Sequence, residues 1–149
     1  LSDFRMVEEK KIIEKLFQQI NNNTGLGSYG LNEVLEMLKN NIADTIIITD
    51  DTELYRLEIK CKKCGNTTEE IVERVKLIPR KTELKNNSCP SCKSTDNESA
   101  QQDLIDYIAL IGSQTGAKVE VISGKTEHGT MLSSLGKIGA ILRYNPHHN

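Results

Sequence analysis

The sequence predicts an α/β fold: a three-layer α/β/α sandwich around a small mixed sheet, interrupted by an inserted four-cysteine ribbon. Three observations carry that expectation. Segments with helical periodicity alternate with short apolar, β-branched runs. The run "DTIIITD" (44–50) has the length and composition of a strand buried on both faces. All four cysteines fall in two Cys-x2-Cys pairs within 61–92, where the composition turns polar and basic.

The elements follow in order. Residues 1–21 read as an amphipathic helix capped by Ser2 or Asp3, with Phe4, Val7, Ile13, Leu16, Phe17 and Ile20 at helical spacing. "NNNTG" (21–25) ends it, because Asn and Gly accept the backbone angles of helix termini. A short "SYG" follows, and Asn32 is placed to cap a second helix with Val34, Leu35 and Leu38 inward. After the 44–50 strand, "LYRLEIK" (54–60) alternates and reads as a strand leading to the first cysteine pair. Within the insertion, 67–78 can supply one more strand. Helical periodicity returns at 101–116 with Leu104, Ile108 and Ile111 in line and Gly116 as the stop. "AKVEVIS" (117–123) is a strand. "TEHGTMLSSLG" (126–136) is a short helix capped by Thr126 and stopped by Gly136, and "IGAILRY" (138–144) is the last strand. The expected division is a sandwich at 1–56 and 97–145, a ribbon at 57–96 and a tail at 146–149.

Composition bounds the function. The chain has 149 residues, 37% hydrophobic and 27% charged, with a formal charge of −2. That supports one modest core and argues against bulk polyanion binding. No apolar run reaches 18 residues, so no membrane partner is expected. The opening reads as a helix, not a signal peptide. The start at Leu1, directly in a helix, suggests a piece of a longer polypeptide.

Cys61, Cys64, Cys89 and Cys92 are the only cysteines. Two Cys-x2-Cys turns at this separation suit one tetrahedral Zn2+. Each turn is tight, so its two thiolates converge on one ion; Gly65 can take a positive φ after the first, and Pro90 stiffens the second. Four protein ligands close the coordination sphere, which makes such a zinc structural. Disulfides and a redox pair compete with this reading; nothing suggests secretion, and a cytoplasmic protein keeps thiols reduced. Residues 60–93 hold nine Lys or Arg and four Glu, a formal +5, so Lys62, Lys63, Arg80 and Lys81 are candidates to touch RNA phosphate. An ordinary solvated ribbon surface is the competing explanation, and the better one on charge alone.

No catalytic constellation is present in the sequence: no nucleophile elbow, no P-loop, no His-Glu-x-x-His. His128, beside Glu127 and Gly129, is expected to face solvent. Asp50–Asp51 reads as a turn after a strand. "GLGSYG" (25–30) lacks the preceding strand that a dinucleotide site needs.

Residues 7–51, "VEEKKIIEKLFQQINNNTGLGSYGLNEVLEMLKNNIADTIIITDD", resemble the opening of the C-terminal domain of archaeal and eukaryotic class 1 peptide chain release factors. "GAKVEVIS" (116–123), "TEHGTMLSSLGKIGAILRY" (126–144) and the four-cysteine insertion resemble the archaeal form in order and position. The cysteines set the chain apart from Pelota-type rescue factors, which share the fold. The resemblance implies a three-domain factor: one domain reads stop codons, the next carries a Gly-Gly-Gln motif that promotes peptidyl-tRNA hydrolysis, and the third binds a translational GTPase. This sequence has no Gly-Gly-Gln. By resemblance it is the third, non-enzymatic domain. Its partners would be an elongation-factor-type GTPase, the ribosome and the other domains of the same factor, in the cytoplasm. The family often has two adjacent glycines before the last strand; here the second is Lys137.

Carried over from the family's partner-binding regions, the contact residues are Lys11, Phe17, Tyr29, Arg143 and Tyr144. Arg and Tyr are frequent hot spots, where truncation costs ~2 kcal/mol or more. Helical spacing fits Phe17 to a core, Tyr29 and Tyr144 fit a core rim as well as a contact, and Lys11 fits a solvated face. The competing function is an RNA-binding module, because the fold resembles ribosomal proteins that grip kinked RNA and the ribbon is basic.

Overall fold

The computed structural model describes residues 3–147. Ser2, a possible first cap, and His148 of the tail lie outside the described residues. In chain order the elements are α1 (Asp3–Asn21), β1 (Gly27–Tyr29), α2 (Leu31–Lys39), β2 (Ala43–Thr49), β3 (Leu54–Cys61), β4 (Thr67–Glu73), a 3-10 turn (Arg74–Lys76), α3 (Leu77–Lys85), β5 (Asn97–Asp103), α4 (Leu104–Thr115), β6 (Lys118–Ile122), α5 (Glu127–Ser133) and β7 (Ile138–Leu142). They form two compact units, one up to Thr52 and again from Ile108, the other Glu53–Tyr107. The ribbon drawn from composition at 57–96 lies inside the second unit, whose sheet takes in all of β3 and β5.

The first unit is built on a mixed sheet of order β1-β7-β2-β6. β7 runs antiparallel to β1 and to β2, and β6 runs parallel to β2. Ile46, Ile47 and Ile48 of β2 are all fully buried, as a strand covered on both faces requires. On one face Ile47, Ile122 and Ile141 meet Ile13 and Leu16 of α1 and Leu132 of α5, with Phe17 and Ile20 packed at the margin. Alternation turns Ile46 and Ile48 to the other face, and α2 packs on β2 and β7 with Val34 and Leu38 fully buried. Gly129 of α5 is essential to this packing: a Cβ there would stand 1.9 Å from the Ser123 carbonyl oxygen.

The second unit has an antiparallel sheet of order β4-β3-β5, with α3 packed against it. Tyr55 pairs with Asp103 and Lys60 with Glu98, so β3 and β5 lie side by side along their whole length.

Several expectations need correction. Phe4 and Val7 are 76% and 50% exposed. The buried stripe of α1 runs instead through Glu9, Ile13 and Leu16, and the first turns face β6 across an open groove. Asn32 caps nothing: α2 starts at Leu31 with Gly30 as its N-cap, at φ 89° and without a side-chain cap bond. The helix expected from 101 starts at Leu104, where Asp103 Oδ1 accepts the Ile105 N–H at 2.9 Å. Residues 101–103 complete β5. The strand expected over 67–78 stops at Glu73, and 74–85 form a 3-10 turn and a helix instead. Thr126 does cap α5, accepting from the Gly129 N–H at 3.0 Å, but the helix ends at Ser133, ahead of Gly136. His128 is half-buried rather than solvent-facing.

Candidate metal centre and docking residues

β3 delivers Cys61 to the first turn. Its N–H donates to the Asn66 carbonyl at 2.8 Å, and its carbonyl accepts from the Gly65 N–H at 2.9 Å. The second turn repeats this pattern: Cys89 N–H to the Ser94 carbonyl at 2.7 Å, and Lys93 N–H to the Cys89 carbonyl at 2.9 Å. The residue four places after the leading cysteine is left-handed in both, Gly65 at φ 79° and Lys93 at φ 67°. A lysine there carries a cost of about 1–2 kcal/mol that glycine avoids.

The two turns interleave their sulfurs. Cys61 Sγ stands 3.6 Å from Cys92 Sγ, and Cys64 Sγ 3.6 Å from Cys89 Sγ. All four lie within 4.8 Å of one another. A disulfide needs about 2.05 Å, so these are four free cysteines. An ion about 2.3 Å from each of four sulfurs at tetrahedral corners sets them about 3.8 Å apart. The donor set and spacing therefore fit a four-coordinate soft or borderline metal ion.

Local donors prepare the sulfurs unequally. The N–H groups of Cys92 and then Ser91 hold Cys89 down to about 6. Cys61 is lowered mainly by the Cys64 N–H. The Asn66 N–H also pulls on Cys64, but loss of water and the neighbouring sulfurs outweigh it and push this thiol up to about 12. Four sulfurs so close resist joint ionisation unless a cation stands among them.

The four candidate RNA contacts do not form one patch of free cations. Lys62 and Lys63 are exposed on the first turn. Arg80 of α3 is clamped by Glu70, with Nη2–Oε2 at 3.1 Å, and by Glu83, with Nη1–Oε1 at 3.1 Å; these carboxylates raise its pKa. Lys81 is half-buried. The formal +5 also disappears at the level of the folded unit. Across Glu53–Tyr107, Arg56 adds one positive charge while Glu53, Glu58, Asp96, Glu98, Asp103 and Asp106 add six negative ones, leaving zero.

The five candidate docking residues are spread out. Lys11 is exposed on α1, 3.6 Å from Glu8. Phe17 is packed against the core. Tyr29 and Tyr144 are 46% and 55% exposed, but Tyr29 is level with Gly139 at one end of β7. Tyr144 lies five residues on, about 17 Å along the strand direction. Arg143 is exposed yet engaged: its guanidinium donates to Asn41 Oδ1 at 3.0 Å and to the Thr115 carbonyl at 2.9 Å, fastening the C-terminal ends of α2 and α4. Sequence reasoning missed that role, since both acceptors come from distant positions.

Fold and site together define a mixed-sheet α/β domain carrying a four-cysteine ribbon. Residues 6–146 match eRF1 domain 3, and the chain belongs to that family. Among its relatives, peptide chain release factor subunit 1 of Methanocaldococcus jannaschii is 35% identical over 99% of this chain and 35% of its own length. This chain thus spans about a third of that relative. The C-terminal domain of a peptide chain release factor from Methanosarcina mazei shares the fold, with a TM-score of 0.82 at 24% identity, over 98% of this chain and 88% of that one. So does S. cerevisiae Dom34, described as a translation termination-like factor interacting with Hbs1, with a TM-score of 0.60 at 15% identity, over 98% and 29%.

Proposed function

We propose that this chain is the third domain of an archaeal-type class 1 release factor and that it docks a translational GTPase of the elongation-factor type. It works at the ribosome, in the cytoplasm. Stop-codon recognition and peptidyl-tRNA hydrolysis belong to other parts of the full factor, and this domain binds without catalysing. The observation that carries the proposal is the match to eRF1 domain 3 over residues 6–146. Tyr29 and Tyr144, each a large exposed aromatic, are the proposed anchors, with Lys11, Phe17 and Arg143 contributing at the periphery or through position. The RNA-binding reading is weaker, because the ribbon unit has no net formal charge and Arg80 is already paired.

Zn2+ is the metal that this donor set fits best: four thiolates, tetrahedral spacing and a closed sphere. Cys61, Cys64, Cys89 and Cys92 would hold it, and its contribution is to the fold of the ribbon. Two measurements test the proposal. Metal analysis of the purified chain should give one zinc per chain. A pull-down with an archaeal elongation-factor-type GTPase should retain the chain and lose it on Tyr144→Ala. A folded, zinc-loaded chain that does not bind the GTPase would refute the docking role.

A further inference from the structure

One face of α1, carrying Phe4, Arg5, Glu8, Glu9 and Ile12, looks across a groove of about 590 Å3 at β6. β6 ends its sheet, so one side of it pairs with no strand among the described residues. The Ile122 carbonyl accepts from the Asp50 N–H at 2.8 Å, toward β2. By strand alternation the backbone groups of Val119 and Val121 therefore face the open side. The groove is acidic: Glu8, Glu9 and Glu120 line it against Arg5. Glu9 is only 5% exposed, and its Oε2 has no hydrogen-bond partner. A buried carboxylate oxygen without a donor is a rare feature that calls for an explanation. Arg5 reaches Glu9 Oε1 and the Val121 carbonyl, each at 3.4 Å, close to the limit for a hydrogen bond. A cation and an open-edge carbonyl thus already meet here, loosely.

We propose that this groove receives an extended basic segment of a partner protein. The segment adds its backbone to the open side of β6 and sets an arginine on the Glu9 carboxylate, displacing the exposed Arg5 side chain outward. Phe4 and Ile12 cover its apolar side chains. The occupant is a protein segment rather than nucleic acid, because three carboxylates repel phosphate. This inference is independent of the GTPase reading.

The test is an NMR titration of the labelled chain with the peptide acetyl-Thr-Val-Arg-Val-Thr-Lys-amide and with a counterpart carrying glutamate in place of the arginine. The amides of Val119 and Val121 should shift saturably with the first peptide and not with the second. Glu9→Gln should weaken binding about tenfold, the loss of one charge-assisted hydrogen bond, and Arg5→Ala should tighten it. Val119→Pro should abolish it while sparing the β2–β6 hydrogen bonds, since its N–H faces outward. If Val119→Pro fails to fold, the opposite shifts of Arg5→Ala and Glu9→Gln decide. No saturable response of the β6 amides, an equal response to the glutamate peptide, or indifference to Glu9→Gln would overturn the proposal.

Discussion

With the proposed zinc on its four cysteines, chelation should melt the ribbon unit and leave the mixed sheet folded. Beyond two of the cysteines, Leu57, Leu77 and Leu104 are the buried aliphatic side chains of Glu53–Tyr107. At about 1.5–3 kcal/mol each they supply about 5–9 kcal/mol. A structural zinc contributes about 10 kcal/mol or more. Removing it takes away at least half of the favourable side of the balance in a unit too small to fold on such a core. The first unit keeps its own core, with Ile13, Leu16, Ile46, Ile47 and Ile48 all fully buried. Amide hydrogen exchange before and after a strong chelator reads both units at once. Protection in β3, β4 and β5 should collapse, while β2 and β7 should change little. If the zinc leaves and β3–β5 stay protected, the staple argument is wrong, and packing alone holds the ribbon.

Gly129→Ala should destabilise the first unit by about 3 kcal/mol, because the new Cβ meets the backbone of Ser123 and Gly124 and neither can retreat cheaply; thermal denaturation reads this. Arg143→Ala should cost about 1–2 kcal/mol by releasing Asn41 and Thr115, so its effect on GTPase binding must be compared with a melting curve, whereas Tyr144→Ala should leave the melt unchanged. Acid should release the metal. Cys89 is depressed to about 6, so its thiolate is favoured in the fold above the ordinary thiol value, and that contribution is lost as pH falls through about 6. Cys61 shifts in the same direction. Cys64 shifts the other way and favours the thiol in the metal-free chain until about 12. Zinc followed with a chromogenic indicator should therefore appear on acidification, and release that is indifferent to pH would contradict the assignment of the sulfurs as ligands.

Much of the fold was legible because its signals are local. β2 announced itself by three successive isoleucines, β6 by alternation, and α5 by the Thr126 cap, which the structure bears out at 3.0 Å. The cysteine spacing foretold that four sulfurs would meet. The elements that were missed have weak local signals. β5 reads "NESAQQD", polar throughout, and is a strand only because β3 offers it a ladder. β1 is three residues long and exists through its pairing with β7. α3 begins "LIPRK", and its first two residues were read as the end of the 67–78 strand because "VKLI" is apolar and β-branched in part; Pro79 sits in the first turn, where it forfeits no internal bond. Phe4 and Val7 were assigned to a core by periodicity, which locates a helical face but not what stands opposite it. Arg143 was named as a contact residue by resemblance; its bonds to Asn41 and Thr115 were not legible, because sequence does not reveal which distant carbonyls a guanidinium will reach.

Because Tyr55 and Asp103 are cross-strand partners, the chain enters and leaves the ribbon through points only about 5 Å apart. A lineage or an engineer could excise everything between them, bridge the gap with a two-residue turn, and ask the remaining sandwich to do without it. The four-cysteine clasp is thus an accessory whose loss or gain calls for no rethreading of the rest.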